Sequence, residues 1–291
     1  MTLSKKHSIL PVIAFGAICT THQANAITVS LDYTYDTGNF FSNVQAKAAL
    51  EAARDAYVNL IDNSFDAIAP GTVYNAGTMS EFSDTWTASF TNPTTGAAES
   101  IVDLSIAADT LIIYVGAREL GSSLGQAGRG GFSSGGLQTF VDSVARGDSS
   151  SKFAAWGGVA TFDSVGTDWH FDHTTAVASG KDDFYSTAIH ELGHVFGLGA
   201  NSDAWNDHWV QGEFSGANAL AAYNSDNGLS ASSVPTSSEG GNRHFANGTQ
   251  SFIYGTTTLQ EVALDPNLTT GTRKLLTNVD VAALQDIGWQ I

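Results

Sequence analysis

Apolar and polar positions follow strand-like patterns in three parts of the chain. Residues 27–31 alternate strictly, as in a first strand with one buried face. Residues 110–115 are nearly all apolar, which is typical of a short central strand buried on both faces. Residues 156–163 form a third such run, and residues 169–171 follow it after a turn. These patterns predict a sheet with at least one interior strand.

A spacing of three and four residues between apolar positions predicts helices. Between residues 42 and 61, Ala46, Leu50 and Ala53 belong to such a series, which contains neither glycine nor proline. This series predicts a long helix after the first strand. Residues 279–287 carry a shorter amphipathic pattern, which predicts a final helix packed on the domain.

Three stretches have no clear period. Residues 64–100 are rich in Gly, Thr, Ser and Asn with short β-prone pieces, so we predict an irregular sheet region there. Residues 121–136 are rich in glycine but lack the Lys-Ser/Thr pair of a phosphate-binding loop, so we predict a long surface loop. Residues 229–247 are also predicted to be loop-like.

The first 26 residues have the pattern of a cleavable export signal. Lys5 and Lys6 precede an apolar run at residues 9–15, and Ala24 and Ala26 form a small-x-small cleavage site. The alternative is a membrane anchor, but the apolar run is much shorter than the roughly 20 residues of a spanning helix. We therefore predict a secreted or periplasmic protein that is cleaved after Ala26 and has no membrane span after that cleavage.

Composition limits the domain organisation and the partners. Residues 27–291 are predicted to form one domain, with an N-terminal lobe of about 27–199 and a C-terminal lobe of about 200–291. The single cysteine, Cys19, lies inside the predicted signal, so no disulfide is expected. The formal net charge is −17, which disfavours nucleic acid and anionic membranes as partners.

One segment carries metal chemistry. Asp183 is a good helix cap, and His190 and His194 then lie four residues apart on the same helical face, where both imidazoles reach one ion. Zinc suits neutral imidazoles, and a catalytic site uses three protein ligands and one open position. Glu191 lies one step round the helix, where it can exchange a proton with a water activated by zinc. The alternative is that both histidines are ordinary polar residues of a helix.

The run from His190 to Gly197 resembles the zinc helix and glycine turn of the metzincin clan of metallopeptidases. Compact metzincins have their third ligand where this chain has Ala200, which cannot bind a metal. Leishmanolysin-like members bring a distant third histidine after an insertion, and the resemblance then implies His244. Leu264 stands where the clan has the methionine of its methionine turn.

The chain also resembles a group of exported bacterial metzincin-like proteins, over residues 109–291. The similarity is carried near the C terminus by residues 265–269, 271–275 and 280–289. It implies an α+β domain with a metzincin-like twisted mixed sheet, a packing helix and the zinc helix, together with a loop-rich C-terminal lobe.

Other residues were weighed as ligands or substrate contacts. His208 is the competing third ligand, and Asp203 is a weaker one. A second ion held by His170 and His173 is left unassigned, with Asp163 or Asp172 as its carboxylate. Glu239 and Tyr254 are considered for substrate binding, although their spacing does not require it. Residues 157–163 are expected to form an exposed edge strand that pairs with an extended peptide, unless both edges of that strand are occupied.

These observations predict a secreted, monomeric zinc endopeptidase that hydrolyses proteins or peptides. Its metal ligands are predicted to be His190, His194 and His244, with Glu191 as general acid/base. Calcium is left open as an additional ion without assigned ligands. Two alternatives stand: a non-catalytic secreted binding or surface protein that retains the zinc helix, and a zinc hydrolase of glycans or esters.

Overall fold

The computed structural model describes residues 27–75, 81–146, 156–199, 202–237 and 244–291, and these contain six α-helices and seventeen β-strands. The helices are α1 (Val44–Val58), α2 (Gln138–Ala145), α3 (Phe184–Val195), α4 (Asp203–Asp207), α5 (Ala217–Asn227) and α6 (Asn278–Asp286). The first eleven strands are β1 (Thr28–Asp32), β2 (Val73–Tyr74), β3 (Phe82–Ser83), β4 (Thr85–Thr91), β5 (Ala98–Val102), β6 (Thr110–Arg118), β7 (Gly125–Arg129), β8 (Gly131–Gly135), β9 (Gly157–Asp163), β10 (Trp169–His170) and β11 (Asp182–Asp183). The remaining strands are β12 (Trp209–Val210), β13 (Glu213–Phe214), β14 (Val234–Ser237), β15 (His244–Phe245), β16 (Gln250–Phe252) and β17 (Leu259–Glu261). The fold is mixed α+β, as predicted.

The main sheet has the strand order β1-β6-β9-β7. Its first three strands are parallel, and β7 is antiparallel to β9. The strands predicted at residues 27–31, 110–115 and 156–163 are therefore confirmed. The expectation that residues 157–163 form an exposed edge strand is wrong, because β6 and β7 occupy both sides of β9 and every residue of β9 is buried.

The glycine-rich stretch at residues 121–136 was predicted to be a surface loop, and this prediction is wrong. It forms β7 and β8, which belong to different sheets: β7 pairs with β9, whereas β8 pairs with β4. Gly130 joins the two strands against the ring of Trp156, where a Cβ atom would lie only 2.8 Å from Trp156 Nε1. Glycine is required there by this close approach.

A second sheet has the order β5-β4-β8, and its strand β4 and the start of β5 lie within residues 64–100, where the sequence predicts an irregular sheet region. Its β4 strand buries Trp86, Ala88 and Phe90 in alternation, as a strand with one core face should. These side chains join Trp156 in a separate apolar cluster.

Two helices lie against each other beside the main sheet. The helix predicted at residues 42–61 is α1, which begins after Asn43, whose side chain accepts from the amides of Gln45 and Ala46. Its buried stripe packs against α3, and the Tyr57 hydroxyl donates to the backbone oxygen of Ile189 at 2.7 Å. This contact fixes the position of α3 relative to α1.

The C-terminal part builds a small sheet of short strands in the order β12-β13-β14-β15. The prediction of loop for residues 229–247 is therefore wrong in part, since β14 and β15 lie within it. The final helix is α6, close to its predicted bounds, and it begins with a capping box between Thr277 and Asp280.

Within the described ranges, no helix is both long and apolar enough to cross a membrane. The predicted signal peptide, residues 1–26, lies outside the described residues, as do Ala200 and Glu239.

Candidate metal centre

The helix that carries the histidine pair is fixed at both ends. Asp183 caps its start, where its carboxylate accepts from the Ser186 amide and forms an ion pair with Arg273 at 2.7 Å. At the other end, Gly197 adopts a φ of +96° and lets the chain turn back, so that the amide of Leu198 bonds Gly193. Most of α3 is buried between α1 and the main sheet.

Three imidazoles converge beside α3. The Nε2 atoms of His190, His194 and His244 form a triangle in which each separation is 3.1 Å. A tetrahedral zinc ion with Zn–N bonds of about 2.0–2.1 Å needs nitrogens about 3.3 Å apart. In the described parts of the chain, no other group of three ligand side chains forms such a cluster.

The outward nitrogens of the helical pair set their tautomers. His190 Nδ1 lies 2.8 Å from the oxygen of Ala263, and His194 Nδ1 lies 2.8 Å from the oxygen of Leu198. A backbone oxygen only accepts, so each Nδ1 must carry a proton and donate it. The Nε2 lone pair of a neutral ring is thereby directed to the centre, as in histidines that bind metals.

This donor set fits a cation. Two acceptor nitrogens at 3.1 Å cannot bond each other unless one ring gains a second proton. Burial opposes that, because it lowers the pKa of His190 well below its usual value of 6.5, and the neighbouring rings of His194 and His244 add to this effect. A divalent ion would satisfy all three nitrogens at once.

The third imidazole is positioned by strand pairing. In the β14–β15 ladder, Ser237 lies opposite His244, and the next residue, Phe245, bonds through its amide to the oxygen of Leu264 at 3.1 Å. The ring of Phe245 is fully buried against Trp205 and Phe214. An apolar anchor one residue away thus holds His244 facing α3.

A buried loop supports the site from below. Asp280 of α6 accepts from the amides of Ala263 and Leu264, at 2.9 and 3.2 Å. The Ala263 oxygen accepts from His190, so α6 is connected to a metal-facing imidazole through one peptide. The Leu264 side chain packs under α3 at Gly193, where a Cβ atom would lie 2.9 Å from Leu264 Cδ2. Leu264 is therefore in close contact with α3 between the two histidines of that helix.

Glu191 is buried and 5 % exposed, and none of the hydrogen bonds found in the described residues involves its carboxylate. Burial raises the pKa of Glu191 from 4.5 to about 8. A divalent cation at the neighbouring histidines would lower that pKa again, because an opposite charge favours the carboxylate. Such a group can take up and release a proton near neutral pH.

The imidazoles and Glu191 open into a cleft of about 810 Å³. The residues that line it include β7 and also Pro266, Asn267 and Leu268. Gly125 of β7 lies directly on Glu191, since a Cβ atom at that glycine would be 2.6 Å from Glu191 Cγ. Charged side chains that line the cleft are Arg129, Asp182, Glu191, Asp265 and Lys274.

The outer edge of β7 presents unused backbone groups to this cleft. Asp163 donates its amide to Leu124, and Gly130 donates its amide to Gly157, so the even-numbered residues of this stretch point their amides and oxygens at β9. In an antiparallel ladder, residues alternate in this respect. Gly125 and Ala127, which line the cleft, therefore direct their backbone groups away from β9.

The other candidate residues lie elsewhere. His208 bonds the Asp286 backbone oxygen through Nε2 at 2.9 Å, and Asp203 is exposed at the start of α4. His170 contacts Thr175, and His173 stacks on Tyr185. Asp163 and Asp172 accept from nearby amides and hydroxyls, and Tyr254 is exposed and does not line the cleft.

Reasoning from sequence missed the residues that support the three imidazoles. The oxygens of Ala263 and Leu198 belong to the backbone and leave no trace in residue type. Gly125 could have been found, because dense glycine before a metal helix indicates close approach of the backbone to something bulky. Asp280 also carried a signal, because it is a carboxylate three residues after Thr277, which caps α6.

Comparison of the chain with protein-family models, with curated proteins and with solved structures found no match.

Proposed function

We propose that this protein is a zinc-dependent endopeptidase that is exported and acts on proteins or peptides outside the cytoplasm. The observation that carries the proposal is the triangle of Nε2 atoms, 3.1 Å on each side, beside a buried carboxylate that has no hydrogen bond to any described residue. His190, His194 and His244 would hold the ion. Bound zinc would act there as a Lewis acid and make water acidic enough to attack near neutral pH.

Peptide as the substrate class is supported by the edge of β7. An extended chain can add to an exposed strand through backbone hydrogen bonds, and such groups are directed away from β9 at Ala127 and at Gly125, which contacts Glu191. The reacting carbonyl would be positioned by this pairing, while other residues that line the cleft contact side chains. A glycan or an ester has no matching row of amides, so the cleft favours a peptide over those substrates.

Glu191 performs the proton transfers in this proposal. Its carboxylate accepts a proton from the attacking water and then delivers it to the departing amine. Burial keeps the proton affinity of the carboxylate high enough for both steps. Gly125 leaves room for this movement because it has no side chain.

The decisive experiment compares the zinc-loaded protein with its Glu191→Gln variant on casein and on a mixed peptide library. We expect the variant to keep its zinc and to lose hydrolysis by about 10²–10⁴-fold, as removal of a general acid/base typically does. Equal hydrolysis by both proteins would refute the proposed role. Hydrolysis of glycosides or esters alone would replace the peptidase with another zinc hydrolase, and zinc binding without turnover would favour a binding protein.

A further inference from the structure

The two ends of the cleft differ in charge. Asp182 lies just before α3 and lines the cleft together with Ser186 and Thr187 of the first helical turn. Arg129 lies at the other end, beside the last residue of α3: a Cβ atom at Gly158 would be 3.0 Å from Arg129 Cα and 3.1 Å from Val195 Cγ1. A bound chain that follows the helix therefore meets Asp182 towards the start of α3 and Arg129 towards its end.

Asp182 has no counter-ion among the described residues, and no hydrogen bond to its carboxylate is found there. The cations that are close to it in the chain or in the cleft wall have other acidic partners. These ion pairs are Lys181 with Asp168, Arg273 with Asp183, and Lys274 with Glu261 and Asp265. The carboxylate of Asp182 is thus able to pair with a charged or polar group of a molecule that enters the cleft.

The remaining donors of these cations are also used. Arg273 donates to the backbone oxygens of Asp172, His173 and Thr175, and Lys274 Nζ donates to the oxygen of Asn267 at 2.6 Å. Neither side chain can turn to Asp182 without breaking these bonds. Partial burial, together with the nearby Asp168, raises the pKa of Asp182, as expected for a carboxylate without a cation.

The position of Asp182 suits a long basic side chain. Asp182 lies in β11, eight residues before His190, and the helical part of this segment, from Phe184 to His190, rises about 9 Å. A lysine or arginine close to the scissile bond can span much of this distance with its flexible stem, and its charged end would then meet the carboxylate. A glutamate at the same place would meet a second negative charge.

We infer that Asp182 determines specificity by selecting peptides with lysine or arginine near the scissile bond, towards the start of α3. This inference rests on the proposed function. A charge-assisted hydrogen bond contributes about 1.5–3 kcal/mol, which sets an expected preference of about tenfold or more over an uncharged side chain.

The test uses the zinc-loaded full chain and matched peptides that differ only by Lys, Arg, Gln or Glu at one position in turn. The variant is Asp182→Asn, and the control is Asp207→Asn, which removes the same charge from an exposed site on α4 outside the cleft. We expect wild type and Asp207→Asn to prefer the basic peptides at one position by about tenfold in kcat/KM. Asp182→Asn should lose that preference, so that it cleaves the Lys, Arg and Gln peptides with similar kcat/KM.

Loss of the preference in both variants, or its persistence in Asp182→Asn, would overturn the inference. A second measurement separates this from failure of the proposed function. Fluorescently labelled Lys and Glu peptides are titrated onto the Glu191→Gln protein with and without Asp182→Asn. A Lys preference that needs Asp182 supports the inference even if no peptide is cleaved, whereas equal affinities overturn it.

Discussion

Two different local features, a helix and a short strand, position the three histidines of the candidate site. His190 and His194 share one turn of α3, whereas His244 lies in a strand of two residues and reaches the site by pairing with β14. His208, the rival third ligand, bonds the backbone of α6 instead. Replacement of these histidines therefore separates the two assignments.

We expect His244→Gln to weaken zinc binding by more than about 100-fold, because even an outer partner of a ligand typically accounts for 10–100-fold. His208→Gln should retain one zinc ion per chain, since its ring lies outside the triangle. Metal content after dialysis against a weak chelator measures both. The reverse result would show that His208, not His244, is the third metal ligand.

Gly125 lies against the side chain of Glu191 and leaves no room for a larger residue. Gly125→Ala would place a methyl group against the Glu191 side chain and displace its carboxylate. We expect kcat to fall by about 100-fold with zinc retained, as displacement of a catalytic group by about 1 Å can do.

The matched control for this prediction is Gly128→Ala, in the same strand, where nothing lies within 4 Å of the added atom. Its kcat should be close to that of the wild type. If Gly125→Ala hydrolysed peptides as fast as Gly128→Ala, the carboxylate would not be held against β7 during the reaction.

At the scale of elements, α6 connects the C-terminal part of the chain to the candidate metal centre. The Asp280 carboxylate accepts from four donors, which belong to Ala263, Leu264 and Thr277. We expect Asp280→Ala to lower the free energy of unfolding by about 3 kcal/mol, because it leaves buried amides without acceptors. Zinc affinity should also fall, by about 10–100-fold, since the Ala263 oxygen loses its support.

Urea unfolding and competitive zinc titration measure these two effects. Asp286→Ala is the control, because Asp286 lies on the same helix and bonds the amides of Asn218 and Ala219 at the start of α5. It should cost about 1 kcal/mol, as loss of a helix cap does, and leave zinc affinity unchanged. An equal change in zinc affinity in both variants would show that α6 acts only through general stability.

Elements with a patterned side-chain sequence could be predicted, and the others could not. The apolar stripe of α1 and the nearly uniform apolar run of β6 indicate directly which of their faces are buried. In β7 and β8, four of ten residues are glycine, so there is no alternation to interpret, and their pairing is decided by β9, β4 and the bulk of Trp156. The two-residue strand β15 is too short to carry any period.

Some residues of the candidate site could likewise be predicted from the sequence, and others could not. The spacing of four between His190 and His194 is a property of helices and could be used at once. His244 was expected only through a family resemblance, because pairing between β14 and β15 cannot be derived from their few residues. The orienting backbone oxygens depend on tertiary contacts alone.

At the scale of the whole molecule, the ion would join parts of the chain that are distant in sequence. His194 and His244 are separated by 50 residues, and each sits on a separately packed element. An ion that binds only the folded state at 100 times its Kd stabilises by about 2.7 kcal/mol. For a protein of this size, we expect zinc to raise Tm by roughly 5–10 °C.

Scanning calorimetry with added zinc and with a chelator measures this shift. His244→Gln is the control and should melt at the same temperature in both, because its ligand set is incomplete. Identical melting of the wild type in both solutions would argue against an ion that bridges α3 and β15.

The path of the chain through β7 and β8 also limits the length of peptide that can pair with β7. Backbone pairing with β9 ends at Gly130, after which the chain turns to β4 in the other sheet. The straight portion of this rim is thus five residues long, and only its alternate residues face outward. If the protein is the proposed peptidase, a bound peptide would therefore pair with β7 over only a few residues. Peptide residues that extend past Gly130 would form no backbone hydrogen bonds with this strand.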